Sequence, residues 1–218
     1  MSEQYDEHEQ SERVKQWLLK NGSNILTFIL LIVAAVSTWH WWQGKQTKDN
    51  HEAASQYQVF ISAIEKPDLA KATVLGTAFI KNYTKSDYAF FASLRLAKMY
   101  LGQGKVDLAM STLENAKSVA HNPQQIELLA IRKVQVSLSQ AKYEQAAKQL
   151  NALKPQYYIA TFDELQGDLA MAKNQTAQAA KFYQSALTKL DAAASSRLLI
   201  EMKLSEAGGK AGKSSEIR

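Results

Sequence analysis

One stretch constrains this chain more than any other: from Ile25 to Trp42, ILTFILLIVAAVSTWHWW, 18 consecutive positions hold no Asp, Glu, Lys or Arg. Its middle, Ile25 to Val36, is almost purely aliphatic. At about 1.5 Å per residue such a helix reaches ~27 Å, close to the thickness of a bilayer's hydrocarbon core. The amphipathic rings of Trp39, Trp41 and Trp42 suit an interfacial belt at its far end. Two other readings share the pattern. One is a buried core helix; the other is a signal peptide cleaved after Ser37, at the small-x-small site Ala35-Val36-Ser37. Against cleavage stand a 24-residue leader with five acidic residues (Glu3, Asp6, Glu7, Glu9, Glu12) and the Trp cluster. The expectation is a retained transmembrane anchor over 25–42, in contact with membrane lipid.

Orientation follows from the flanking charges. Arg13, Lys15 and Lys20 precede the span while Lys45 and Lys48 follow it, a three-to-two bias that places the N-terminus in the cytoplasm. Within the leader, Val14, Trp17 and Leu18 at i, i+3, i+4 predict a short amphipathic helix stopped at Asn21-Gly22.

Beyond Trp42 the pattern becomes helical. With 31 Ala against nine Gly and three Pro, the composition disfavours an all-β fold. Three segments share one grammar, a helix, a small-residue turn and a second helix. The first holds Leu96-Ala97, Tyr100, Gly104 to Ala109, Leu113 and Ala116; the second Val134, Leu138, Ala141 to Ala146 and Leu150; the third Leu165, Gly167, Met171, Asn174 to Ala179, Tyr183 and Ala186. Ala109, Ala146 and Ala179 lie 37 and 33 residues apart, bracketing the period of about 34 residues of tetratricopeptide repeats. Small residues at these markers let antiparallel helices approach, and Tyr100, Leu113, Leu150 and Tyr183 fill the space between pairs. Tyr57, Phe60, Ile61 and Ile64 predict an earlier helix, Leu69, Leu75 and Phe79 the next, and Leu198, Leu199 and Met202 a last helix that caps the stack. Pro67, Pro123 and Pro155 fall between helices.

The expected fold is therefore all-α: a single N-terminal transmembrane helix followed by a tetratricopeptide-like α-solenoid of antiparallel helix pairs. Its parts are a leader (1–24), the span (25–42), a linker (43–50), the helical domain (51–206) and a disordered Gly/Lys-rich tail (207–218).

For chemistry the chain offers little. Without Cys it can form no disulfide, thiol nucleophile, thiolate zinc site or Fe–S cluster. His8, His40, His51 and His121 have no partner at i+3 or i+4 that could share a metal, so neither metal nor cofactor is expected. Gly102-Gln103-Gly104-Lys105 lacks the strand and the remaining residues of a phosphate loop. Acidic pairs such as Asp163-Glu164 read as solvated helix faces, with no acid isolated beside a base. The net charge of +5 is too small to argue for nucleic acid.

The chain resembles a known family at particular residues: Val14-Lys15-Gln16-Trp17 and Lys20-Asn21-Gly22 before the span, the Trp-rich exit, Asn82-Tyr83 to Tyr88-Ala89, Leu94, Leu96-Ala97 and Val134-Gln135-Val136. In that order they resemble the YfgM-type ancillary subunits of the bacterial Sec translocon, over nearly the whole chain to about residue 205. The tail from Ala207 departs from the pattern. The resemblance implies an inner-membrane protein with a cytoplasmic N-terminus and a periplasmic helical domain. It further implies association with SecYEG and the membrane-anchored chaperone PpiD in handling newly translocated proteins.

Charge sharpens where such a protein would bind. The first 24 residues carry −2, so the rest carries +7. Positions on the first helix of each repeat that would face a concave surface are Arg95 and Lys98, Arg132 and Gln135, and Asp168; they are expected to contact a helix or an extended peptide. Ordinary solvated charges would look the same. Two other functions fit the bare architecture: a membrane-tethered scaffold for another envelope assembly, and a cytoplasmic-facing stress regulator of opposite topology. An enzyme would need a polar pocket that the sequence does not show. The oligomeric state is not legible from these residues.

Overall fold

The computed structural model describes residues 3–65 and 69–209. Within them lie nine α-helices and no strand: α1 Glu3–Glu65, α2 Leu69–Asn82, α3 Asp87–Gly102, α4 Val106–Asn115, α5 Pro123–Ser139, α6 Tyr143–Ala152, α7 Ile159–Ala172, α8 Thr176–Lys189 and α9 Arg197–Glu206, with a short 3-10 turn at Ala116–Val119. The chain divides into two compact units, up to Ala53 and from Ala54 onward.

In the first unit the window Leu26–Gln43 is long and apolar enough to cross a membrane, and none of it is buried. Its two threonines are satisfied along the helix. The Thr27 hydroxyl donates to the Ser23 carbonyl and Thr38 to Ala34, both at 2.8 Å, so these two hydroxyls need no partner from lipid. Trp39 and Trp42 pack at 5.7 Å between centroids, and Lys45 Nζ lies 5.9 Å over the Trp41 ring, an arrangement suited to a headgroup region. The helix stop expected at Asn21-Gly22 is not there: the helix runs through, and the Asn21 amide donates to the Trp17 carbonyl at 3.0 Å. A mid-helix Gly costs only about 1 kcal/mol, less than leaving backbone groups unpaired beside lipid. Residues 43–50, expected as a linker, are also helical, since QGKQTKDN holds one Gly and no Pro to break them.

In the second unit the sequence markers become contacts. Ala97, Ala109, Ala146 and Ala179 are buried where helices approach closely. A Cβ on Gly167 would meet the Tyr183 ring at 2.4 Å, and one on Gly76 the Phe60 ring at 2.5 Å. Ile131, Val134, Ala146, Leu150 and Leu165 form one core cluster; Ala179, Tyr183, Ala186, Leu187, Ile200 and Leu204 contribute to another.

The three repeat turns share one geometry. Gly104, Ala141 and Asn174 have φ of 71°, 53° and 59°, and each lies just beyond the first helix of a pair. Its N–H donates to the carbonyl three residues back, while the next N–H reaches five back. Gly104 N–Leu101 O (3.0 Å) with Lys105 N–Tyr100 O (2.9 Å) recurs as Ala141 N–Leu138 O (3.0 Å) with Lys142 N–Ser137 O (2.9 Å), and as Asn174 N–Met171 O (2.9 Å) with Gln175 N–Ala170 O (2.8 Å). This left-handed helix stop satisfies two of the last carbonyls and reverses the chain in three residues. Gly208, at φ 80°, ends α9 in the same way.

Four expectations are corrected here. The last helix exists, but Leu198, Leu199 and Met202 are its exposed side; Ile200, Leu204 and Ala207 form the buried one, because they share one face at i, i+4, i+7. Ala207 therefore belongs to the core, not to the tail, while residues 210–218 of that tail lie outside the described residues, as does Pro67. Asp163 is buried, accepting from Ser185 Oγ and Lys189 Nζ at 2.6 Å each. Glu164, read as solvated with it, is bound by Lys203 Nζ at 2.6 Å.

Candidate functional site

The site is a groove between α3 and α5. Each wall begins at a fixed level because its N-terminus is capped. Ser86, in extended conformation, accepts from the Tyr88 N–H at 3.3 Å to open α3. Asn122 accepts from the Gln125 N–H at 2.9 Å to open α5, with Pro123 in its first turn. The buried Gln125 then joins the walls: its amide donates to Asp87 Oδ1 at 2.8 Å, and its oxygen accepts from the His121 N–H at 2.6 Å. On another side of α5, the buried Glu127 carboxylate accepts from the consecutive N–H groups of Gln156, Tyr157 and Tyr158 at 2.7–3.2 Å. Those charge-assisted bonds hold the segment that enters α7.

From these starts the inward faces follow by helical spacing. Phe91, Leu94, Arg95, Lys98 and Leu101 line the groove from α3, and Leu128, Arg132, Gln135, Val136 and Ser139 from α5. Leu113 and Tyr57 also reach it, and the cavity measures about 680 Å³. Arg132 is steadied by Gln135, its guanidinium donating to Oε1 at 2.7 Å. The floor is largely aliphatic and aromatic, and three cations with no carboxylate stand among the lining residues. Phe91 keeps 45% of its surface exposed, an apolar area open to whatever enters. Such a lining can hold an apolar side chain and pair with negative charge, but it brings together no nucleophile and base. Among the described residues no group of three His, Cys, Asp or Glu could hold a metal ion.

Of the residues expected to bind a partner, Arg95, Lys98, Arg132 and Gln135 thus meet in one groove. Asp168 does not join them. Its carboxylate accepts from the Tyr183 hydroxyl at 2.9 Å and lies 2.8 Å from Lys203 Nζ, which also binds Glu164. Burial would lower the Lys203 pKa, but the hydrogen bonds that its ammonium donates to Asp168 and Glu164 outweigh it and raise the value above its ordinary 10.5. Burial, followed by the Asp168 charge and hydrogen bond, raises the Tyr183 phenol as well. This cluster fastens α9 to α7 and α8. Phe91, Leu101 and Leu128 escaped the sequence reading of the groove, though their spacing of three or four residues from Arg95, Lys98 and Arg132 marks the same faces. Trp39, Trp41 and Trp42, expected at the membrane interface, lie in the first unit with 58%, 70% and 51% exposure.

Comparison with known proteins agrees with this architecture. The chain is 27% identical over 91% of its length to the ancillary SecYEG translocon subunit of Aggregatibacter actinomycetemcomitans, covering 96% of that protein. It is 25% identical to the protein of that name from Haemophilus influenzae (85% of this chain, 91% of the relative) and 28% identical to that from Escherichia coli (91% and 95%). No solved structure matches significantly. The likeness to YfgM-type proteins read from the residues is thus found again by comparison across anchor and domain together. Since the profile of the tetratricopeptide repeat-like domain family matches residues 15–209, nearly the whole chain, this protein belongs to that family.

Proposed function

We propose that this protein is a non-enzymatic, membrane-anchored interaction subunit that associates with the SecYEG translocon. On this reading its N-terminus is cytoplasmic and its helical domain periplasmic in the bacterial inner membrane. There it links the translocon to periplasmic chaperones of the PpiD type that receive newly translocated proteins. The observation that carries the reading is the extent of the likeness. Three ancillary SecYEG translocon subunits align over 85–91% of the chain, and the matching family profile begins at residue 15, ahead of the apolar span. A match confined to the repeats would speak only for a scaffold, because such repeats serve many partners.

Affinity purification of the detergent-solubilised full chain, with the co-purifying proteins identified, tests this directly. SecY should be recovered, with a PpiD-type chaperone beside it. Recovery of a different envelope complex without SecY would overturn the assignment. Reporter fusions at Arg218 test the topology: a fusion active only in the cytoplasm would reverse the orientation and remove the translocon role.

A further inference from the structure

A helical stack stays soluble when its terminal helix turns a polar face outward, and α9 does not. Leu198, Leu199 and Met202 keep 68%, 52% and 62% of their surface exposed, while Ile200 and Leu204 on the other side are packed into a core with residues of α8. We propose that this stripe pairs with the same stripe on a second copy of the chain when both copies are anchored in one membrane. The two α9 helices run antiparallel about a two-fold axis that crosses them near residue 200. This goes beyond the translocon reading and rests only on the anchor.

The pattern of side chains is self-complementary. In a two-fold contact residue i of one copy meets residue j of the other, and j meets i. Counted from residue 200, Leu198 answers Met202, and the exposed Ser195, in the turn before the helix, answers the exposed Ser205. Large side chains stand at the middle and small ones at both ends, which lets two helices cross closely. Direction follows from Glu206, which is exposed one turn beyond Met202. At about 1.5 Å per residue, antiparallel packing sets the two copies of Glu206 ~18 Å apart along the helix, beyond the screening length of roughly 8–10 Å. Parallel packing would bring the two carboxylates side by side.

Charge and area argue for a like partner. Both cations of α9 are committed within the fold: Arg197 to Glu201 at 3.1 Å, and Lys203 to Glu164 and Asp168 at 2.6 and 2.8 Å. A lipid surface would require Lys or Arg beside the apolar side chains, and a charged ligand would require an unmatched charge. A second copy of the same neutral stripe requires neither. The chain after Gly209 holds Ile217 as its one large apolar side chain, too little to cover three. The three side chains amount to roughly 200–350 Å² per copy, well short of the ~800 Å² per partner of a stable soluble complex. Pairing therefore depends on confinement of both copies to one bilayer by the apolar span, which raises their effective concentration. A two-fold axis along the membrane normal lets both anchors enter that bilayer from the same side.

The test uses the full chain in phosphatidylcholine liposomes and exploits its lack of Cys, so that an introduced thiol is the only one. Leu198→Cys and Met202→Cys chains are reconstituted together and oxidised with copper phenanthroline, and the products are read on non-reducing gels and by mass spectrometry of the linked peptides. The mixed 198–202 link should predominate, because self-links at either position are offset by ~6 Å along the helices. Its yield should exceed that of a Glu206→Cys chain by roughly fivefold or more at the same protein-to-lipid ratio. Adding Leu199→Glu to both chains places a charge in the contact and should drop the yield to the Glu206→Cys level. Should that variant not fold, Leu199→Ser at the same half-exposed position should still lower the yield severalfold. Equal yields at all three positions, a Glu206→Cys link as strong as the mixed one, or a yield indifferent to both Leu199 variants would each overturn the proposal. So would protection of Met202→Cys from maleimide by phosphatidylglycerol vesicles without cross-linking, which would assign the stripe to a lipid surface. The purified chain alone is used, so the result is independent of whether SecY is recovered with it.

Discussion

Replacing Ala141 by Gly should make the domain more stable, against the usual direction of a Gly substitution beside a helix. Ala141 sits at φ 53°, where its Cβ crowds the backbone at a cost of roughly 1–2 kcal/mol that Gly does not incur. The side chain is exposed, so its removal opens no cavity. Gly carries about 0.5–1 kcal/mol of extra backbone entropy in the unfolded chain, which leaves a net gain of roughly 0.5–1 kcal/mol. In a domain of this size that corresponds to ~1–4 °C in Tm. The other turns supply controls at the same backbone position. Gly104→Ala, at φ 71° with nothing within 4 Å of the new Cβ, should lose a similar amount through backbone strain alone. Asn174→Gly should change little, because Asn tolerates the left-handed region. Circular dichroism melts of the full chain in mild detergent, confirmed by urea midpoints, would measure all three. If Ala141→Gly melted lower than the wild type, Ala141 would not occupy the left-handed conformation, and the shared turn geometry would fall with it.

Gly167→Ala should cost about 1–3 kcal/mol by overpacking, since the new methyl would meet the Tyr183 ring at 2.4 Å; a Tyr183→Leu second change should recover part of the loss in the same melts. Lys203→Met leaves the Glu164 and Asp168 carboxylates without their cation and should destabilise by roughly 1–3 kcal/mol, read as a lower urea midpoint at pH 7. The two raised pKa values fix the pH dependence: the folded state favours charged Lys203 and neutral Tyr183, so their contribution is complete below about pH 10, and it is lost as pH rises through the folded values. Wild-type stability should therefore fall more steeply above pH 10 than that of Lys203→Met, and equal slopes would remove the cluster from the account. Glu127→Gln keeps the shape but loses the charge that accepts three N–H groups; a loss of about 1–2 kcal/mol is expected, with faster amide exchange at Gln156 to Tyr158.

How much of this was legible in the residues depends on the distance over which each feature is decided. The apolar window is a property of composition alone, and Leu26–Gln43 lies one residue from the stretch read directly. The repeat markers are nearly as local, because a small residue is needed wherever two helices a few residues apart must touch, as Gly167 shows against Tyr183. The facing of α9 was not local. Leu198, Leu199 and Ile200 are consecutive, so two apolar stripes compete on one short helix. Only packing against α8 selects the stripe of Ile200 and Leu204. Likewise Asn21-Gly22 carries the residue types of a helix stop, yet a helix entering lipid has no other partner for its backbone.

The acidic residues show why the site was only partly readable, and what their misreading implies. Sequence gives a carboxylate its charge but not its partner, and the partners here are distant along the chain. Asp163 meets Lys189, and Glu164 and Asp168 meet Lys203. Asp168 looked equivalent to Arg95 and Arg132 by repeat position, but its charge is spent within the fold. Glu127 is spent on backbone N–H groups, and Glu114 and Glu144 face Lys133 and Lys173. These ion pairs remove cation and anion together, so they leave the positive balance of the domain unchanged while confining it to cations outside such pairs. Arg95 and Lys98 are two of these and share a groove with Arg132. The net charge that seemed too small to indicate a partner is thus locally concentrated, on a surface whose apolar floor disfavours a purely ionic ligand.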